Sequence, residues 1–173
     1  EGGDTERLVV LKHADDTVLL AEDEESLRIA VEAFERWCRR WQVVPNPKKC
    51  EVIVFEHTGH AAPNIVLGGR RLDVKPEVVY LGYVLTKRGE WSAHVDRRLS
   101  RAGRWDCCAR RIVGAAGGCT VESAAHVRCS AADASVLYGS ELWAGVDHRN
   151  ERRVDQHQVA IARALLGVRS SAE

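Results

Sequence analysis

LVVLKHADDTVLLAED, residues 8 to 23, decides how the chain is read. Two apolar, β-branched runs, Leu8 to Leu11 and Thr17 to Leu20, are predicted to be the arms of a hairpin. The adjacent carboxylates Asp15 and Asp16 then fall at its turn. Asp is a common turn former because its side chain bonds nearby backbone, so a solvated tip accounts for the pair. Two carboxylates at a strand end also supply the hard oxygen ligands that Mg²⁺ takes. Both readings stand on these residues alone.

Outward from the hairpin, Asp23 is placed to cap a helix whose first turn carries Glu24 and Glu25, negative charge at the positive end of the helix dipole. Leu27, Ala30, Val31, Phe34, Cys38 and Trp41 recur at helical spacing, with Trp37 flanking, which predicts an amphipathic helix lying on a sheet. Pro45 and Pro47 stop it. Cys50 to Phe55 (CEVIVF) is β-branched and alternating, a strand expected to return alongside the first hairpin. HTGHAAPN is a turn-rich loop. Ile65 to Leu67, Gly68-Gly69 and Arg70 to Val74 read as a second hairpin, since Gly-Gly supplies the positive φ angles of a two-residue turn. Val78 to Leu85 (VVYLGYVL) reads as a further strand.

From Ser92 the pattern becomes helical. Arg97, Arg101, Arg104 and Arg111 fall on one stripe of the first helix, and Val95, Leu99, Ala102, Trp105, Ala109, Ile112 and Val113 on another. The arginine stripe suits phosphates, and it equally suits water. Gly114, Gly117 and Gly118 break this helix. A second is expected from about Val121 to Trp143 and a third from about Asn150 to Leu166, ending at Gly167. The boundary between β-rich and helical parts is expected near Trp91, giving segments 1–91 and 92–173.

The net charge is zero, yet the charges are unevenly spread. Residues 1–25 carry nine acids against two bases, residues 26–91 seven against eleven, and residues 92–173 nine against twelve. An acidic start suits a divalent cation and basic remainders suit a polyanion. No apolar run approaches the roughly 18 residues of a membrane span, and EGGDTER is unlike a signal peptide, so a soluble intracellular protein is expected. Met is absent, which reads as a fragment of a longer chain. Cys38, Cys50, Cys107, Cys108, Cys119 and Cys129 follow neither a disulfide framework nor, with His126, the spacing of a common zinc module. Reduced thiols are expected.

HADDTVLLAEDEESL, the helix after it and NPKKCEVIVF together resemble the second half of the palm of a reverse transcriptase of the non-LTR retrotransposon type. That family carries Tyr or Phe before Ala-Asp-Asp; His13 stands there in this chain. Asn46-Pro47-Lys48-Lys49-Cys50 is similar to the family's next motif, with Lys49 matching its lysine and Cys50 replacing a Thr. Tyr80-Leu81-Gly82 resembles the hairpin that grips the primer end. Three such motifs in this order, with a helix between the first two, are far more specific than any one of them.

The resemblance implies an α+β fold, a partial polymerase palm of antiparallel strands with a packed helix, followed by an all-helical thumb or connector. It implies RNA-templated DNA synthesis by two-metal nucleotidyl transfer. Asp15 and Asp16 would be catalytic and bind metal, two Mg²⁺ ions in the complete enzyme, and Lys49 would approach the triphosphate. Tyr80, Leu81 and Gly82 would bind primer, and Arg97, Arg101, Arg104 and Arg111 the nucleic-acid backbone. Implied partners are an RNA template, a DNA primer, deoxynucleoside triphosphates and the N-terminal palm and fingers of the same polyprotein; a eukaryotic element would place it in the nucleus. The family's third aspartate belongs on an earlier strand, and Asp4 lies too near to supply it, so these residues are expected to be inactive alone. The competing expectation is a catalytically dead nucleic-acid-binding or scaffold module, or a decayed retrotransposon remnant.

Overall fold

A strand run satisfies its backbone N–H and C=O groups most directly by pairing with the next run in sequence. In the computed structural model, which describes residues 9–56, 59, 61–114, 120–145 and 147–166, β1 (Val9–His13) and β2 (Asp16–Leu20) do so. They form an antiparallel hairpin in which Val9 opposes Leu20 and His13 opposes Asp16. The described residues belong to two compact units, Glu1–Gly89 and Glu90–Glu173.

In the first unit, helix α1 (Glu24–Arg40) starts where Asp23 Oδ1 accepts from Ser26 N at 2.8 Å. Its first turn is acidic and its last basic, each favouring the adjacent end of the dipole. Ala30, Val31 and Cys38 are buried, Leu27 and Phe34 half-buried. Trp41, expected on this face, is 63% exposed because it is already the C-cap. The helix ends before the prolines: Gln42 adopts a left-handed φ of 56°, and Val43 N donates to Cys38 O at 2.9 Å, closing a Schellman motif with Gln where Gly is usual.

Val31, Val52, Ile65, Leu67 and Leu72 form the core of this unit, with Leu19, Leu27, Phe34, Cys50 and Val74 against it. β4 (Val66–Leu67) and β5 (Arg70–Arg71) pair around Gly68-Gly69. Cys50 to Phe55 departs from expectation. Its paired part, β3 (Glu51–Val52), runs parallel to β6 (Asp73–Val74) rather than beside the first hairpin. Lys75 N extends the pairing to Val52 O at 2.8 Å, and Glu56 N donates to Lys87 O at 2.8 Å. VVYLGYVL is two strands, β7 (Glu77–Tyr80) and β8 (Tyr83–Thr86), folded back at Leu81-Gly82. The four pairs are separate two-stranded sheets.

The second unit is helical. α2 (Ser92–Gly114) is followed by α3 (Val121–Val127), a π-helical stretch (Arg128–Asp133), α4 (Ala134–Val136), α5 (Ser140–Trp143) and α6 (His148–Leu165). The single helix expected from Val121 to Trp143 is therefore broken, at Leu137–Gly139, where Gly139 takes φ 79°. α6 begins before Asn150, where Asp147 Oδ1 accepts from Asn150 N at 3.1 Å. Gly117, Gly118, Cys119 and Gly167, and the side chains of Ala109, Ile112 and Val113, lie outside the described residues. Val95, Ala102, Ala132, Val136, Trp143 and Val154 form the core, with Trp91 and Leu99 packed on it. Among the described residues, no helix is long and apolar enough to cross a membrane.

Polar groups are built into this core. Asp106 of α2, 1% exposed, lies 2.9 Å from His157 Nε2 of α6 and 3.8 Å from Arg128 Nε, so one carboxylate ties three segments. Fully buried His94 places Nε2 3.1 Å from Tyr138 O, and with a carbonyl as acceptor this nitrogen carries the proton. The Arg98 guanidinium stacks 4.1 Å from the Tyr138 ring centroid. Asn150 Nδ2 donates to Asp147 Oδ2 at 2.6 Å and Ser92 Oγ at 3.4 Å, while its Oδ1 accepts from Arg153 Nη1 at 2.8 Å.

Removing Asp106 leaves His157 without its carboxylate and Arg128 with Asp133 alone, so Asp106→Ala is expected to cost about 1–3 kcal/mol in urea-induced unfolding of the chain. A loss under about 1 kcal/mol would mean that Arg128 and His157 find water instead. Burial pushes the His94 imidazole below its ordinary 6.5, helped by Arg98 and opposed by the bond to Tyr138 O. The unfolded chain then binds the extra proton first: His94's contribution to stability is intact above pH 6.5 and falls as the pH drops below it. His94→Gln, which keeps a donor for Tyr138 O, is expected to flatten the stability profile below pH 6.5. An unchanged acid slope in the variant would remove His94 as the cause.

Candidate active site and nucleic-acid interface

Opposition of His13 to Asp16 leaves only Ala14 and Asp15 to turn the first hairpin. So tight a turn needs a positive φ, and Ala14 supplies it at 52°, a left-handed conformation that costs an L-residue about 1–2 kcal/mol. Asp15 at the tip and Asp16 at the start of β2 are both exposed, and neither side chain forms an ion pair or hydrogen bond with the described residues. One residue before His13, Lys12 places Nζ 3.8 Å from the Trp37 ring centroid, with Phe34 stacked on Trp37 at 6.1 Å. This cation–π contact joins the β1 arm to α1, so the helix helps to hold the tip.

Two carboxylates free of protein cations fit Mg²⁺ in donor chemistry. They do not make a cage. Among the described residues, no group of three or more His, Cys, Asp or Glu side chains is placed to hold a metal ion. His13, exposed on β1 opposite Asp16, adds no third oxygen.

Lys49 ends a single 3₁₀ turn, Pro47–Lys49. Asn46 makes this turn: its Oδ1 accepts from Lys48 N at 3.1 Å, its carbonyl accepts from Lys49 N at 3.0 Å, and Cys50 Sγ donates to the same carbonyl at 3.3 Å. Cys50 thus makes the side-chain bond that a hydroxyl would make in its place. Burial pushes its thiol above the ordinary range, which keeps it protonated for that bond. Lys49 itself is exposed.

Tyr80, Leu81 and Gly82 sit at the bend between β7 and β8, with Tyr80 opposite Tyr83. Leu81 (φ 47°) and Gly82 (φ 82°) both occupy the left-handed region, as a type I′ turn demands. Gly accepts that conformation; a bulky Leu does so under strain. Tyr80 and Leu81 are half-buried and Gly82 is exposed. No ladder joins this tip to the Asp15–Asp16 tip.

On α2, Arg97, Arg101, Arg104 and Arg111 are exposed. Trp105, expected toward the core, is 43% exposed. Sequence periodicity missed Arg98, His94 and Asp106, which face inward among Val95 and Ala102. The signal was available in their spacing: 94, 98, 102 and 106 recur every four residues.

The structure therefore joins Asp15 and Asp16 at one tip, sets Tyr80 to Gly82 at another and leaves Lys49 on a separate turn of the same unit. Residues 4–85 match the family model described as reverse transcriptase (RNA-dependent DNA polymerase). This segment is similar to reverse transcriptases. The chain is similar to the RNA-directed DNA polymerase from mobile element jockey of Drosophila melanogaster, 28% identical over 98 residues, 53% of this chain and 11% of that protein. It is also similar to the jockey polymerase of Drosophila funebris, 26% identical over 94 residues, 51% of this chain and 10% of that protein. Both relatives come from a mobile element, and the chain spans about a tenth of the length of these curated relatives. No solved structure matches it.

Two of the three hairpin tips in the matched segment hold an L-residue where glycine is at ease. Ala14→Gly is expected to stabilise the chain by about 0.5–1 kcal/mol, the left-handed penalty less glycine's greater chain entropy. Leu81→Gly is expected to gain less, because its half-buried side chain is lost. Denaturation midpoints test this, and a destabilised Ala14→Gly variant would rule out strain at the first tip.

Proposed function

We propose that the chain is part of an RNA-directed DNA polymerase, residues 1–91 contributing the C-terminal half of the palm with the primer-grip hairpin and residues 92–173 the thumb or connector. The observation that carries this reading is the pair of exposed, unneutralised carboxylates at a strained two-residue tip, within the segment that matches the reverse transcriptase family. Asp15 and Asp16 would hold Mg²⁺, which when bound activates a primer 3′-oxygen and neutralises charge on departing pyrophosphate.

The chain's own side chains would do the rest. Lys49, a cation on a short capped turn, would lie beside the triphosphate and supply a proton to pyrophosphate. Tyr80, Leu81 and Gly82 would hold the primer end, the glycine permitting close approach of backbone to sugar and phosphate. Arg97, Arg101, Arg104 and Arg111 would follow the backbone of an RNA–DNA duplex without reading sequence. Partners on this reading are RNA template, DNA primer, deoxynucleoside triphosphates and the rest of the palm and fingers. With two carboxylates and no third ligand beside them among the described residues, this chain by itself would bind primer-template without extending it.

The purified chain is expected to bind a fluorescent RNA–DNA primer-template with a steep salt dependence. Substituting Arg97, Arg101 and Arg104 by Ala should reduce the slope of log K against log salt by about 2–3. Mn²⁺ should broaden amide resonances around Asp15 and Asp16, and Asp15→Asn with Asp16→Asn should abolish the broadening. Folded chain that binds no nucleic acid at low salt would defeat the proposal. Binding without a carboxylate-dependent Mn²⁺ effect would favour a non-catalytic binding module.

A further inference from the structure

The Gly68-Gly69 turn is held from two sides. A Cβ on Gly68 would lie 3.4 Å from Pro47 Cγ, so the β4–β5 tip rests against the 3₁₀ turn. From α1, Glu35 Oε1 accepts from Gly68 N at 2.7 Å. Both glycines have positive φ, 56° and 76°, which closes the tip tightly enough for this fit.

This contact gathers two dibasic pairs that are more than twenty residues apart in sequence. Lys48 and Lys49 follow Pro47; Arg70 and Arg71 follow Gly69. Two residues of chain reach at most about 7 Å, so Lys48, Lys49 and Arg70 cannot be far from the contact. All four cations are exposed, and their side chains form no ion pair or hydrogen bond with the described residues.

Five other bases of the unit are ion-paired, whereas Arg36 and Arg40 on α1 are exposed like the four at the tip. Arg28 pairs with Glu24 and Glu25, Arg39 with Glu35, Lys75 with Asp73, and Lys87 and Arg88 with Glu56. Bonds from Lys87 and Arg88 hold the Glu56 carboxyl below its ordinary range, so that pairing is electrostatically engaged. Glu35, the acid that meets the glycine tip, is occupied by Gly68 N and Arg39. What remains at the tip is positive charge without a counter-ion among the described residues. Gathering like charges on a fixed base opposes folding, and a polyanion relieves it.

We infer that Lys48, Arg70 and Arg71, with Lys49 beside them, form a phosphate-binding platform that grips the sugar-phosphate backbone of the nucleic acid on the first unit, in addition to the α2 arginines. The inference rests on the polymerase reading for its ligand, and on the Gly68–Pro47 contact for its geometry. Such a platform contributes affinity and register but no sequence preference.

The test compares the full chain with Arg70→Ala/Arg71→Ala and with Lys75→Ala, whose ammonium is paired to Asp73, in binding a fluorescent RNA–DNA primer-template at several salt concentrations. The arginine double variant should lose about 1.5 to 2 from the salt slope, and Lys75→Ala should match the parent. In the unsubstituted chain, bound duplex should protect Lys48 from acetylation more than Lys75, a readout that needs no variant to fold. A parent that binds while the double variant keeps its slope and Lys48 stays unprotected overturns the platform and leaves the polymerase reading standing. A parent that does not bind overturns both.

Discussion

The first unit depends on the seat of helix α1. Four two-stranded sheets share no ladder, and an isolated pair of strands is marginal in water. Three of them, β1–β2 through Leu19, β3–β6 through Val52 and Val74, and β4–β5 through Leu67, meet in the cluster around Val31, Val52, Ile65, Leu67 and Leu72, to which α1 contributes from one side. The helix also reaches out with polar groups. Glu24 Oε1 accepts from Asn64 N at 3.2 Å, Glu35 holds Gly68 N, and Trp37 takes the Lys12 ammonium. Each of these tethers a different stretch of chain. Tips whose carboxylates and cations have no partner among the described residues are thereby set on one helix rather than left to the short ladders.

The parts of this arrangement that were legible in sequence are those set by local chemistry. Alternation on either side of Ala14-Asp15, the Asp23 cap and the Gly68-Gly69 turn each depend on residues adjacent in the chain. The C-terminal strand pairing was not legible. CEVIVF has the composition of a long strand, yet only Glu51 and Val52 pair, because the partner offered to them, Asp73 and Val74, is two residues long. VVYLGYVL reads as one strand because Leu gives no warning of a positive φ. The break at Leu81-Gly82 is imposed by the pairing of Tyr80 with Tyr83 against the local preference of Leu81.

Strain and charge coincide at the first tip. Ala14 is held left-handed beside two carboxylates that have no cation within the described residues, and each feature alone opposes folding. Local choices that conflict with stability are expected where function sets the residue, and this tip lies within the segment that matches the family model. His13 departs from the aromatic residue of that family at the same tip.

In the second unit the same residue type serves two ends, and periodicity cannot separate them. Arg97 and Arg98 are neighbours, but one step along an α-helix turns the side chain by about 100°. Arg97 joins Arg101 and Arg104 in water, whereas Arg98 turns inward to stack on Tyr138. His94 and Asp106 lie on the inward side with Arg98, where His94 reaches Tyr138 O and Asp106 reaches Arg128 and His157. The inward cation is buried by packing on an aromatic ring, the outward ones stay solvated and available to a polyanion. A charge-by-charge reading of α2 would have counted them alike; only the partners on Tyr138 and α6, distant in sequence, decide which arginines the fold consumes and which it leaves free for a ligand.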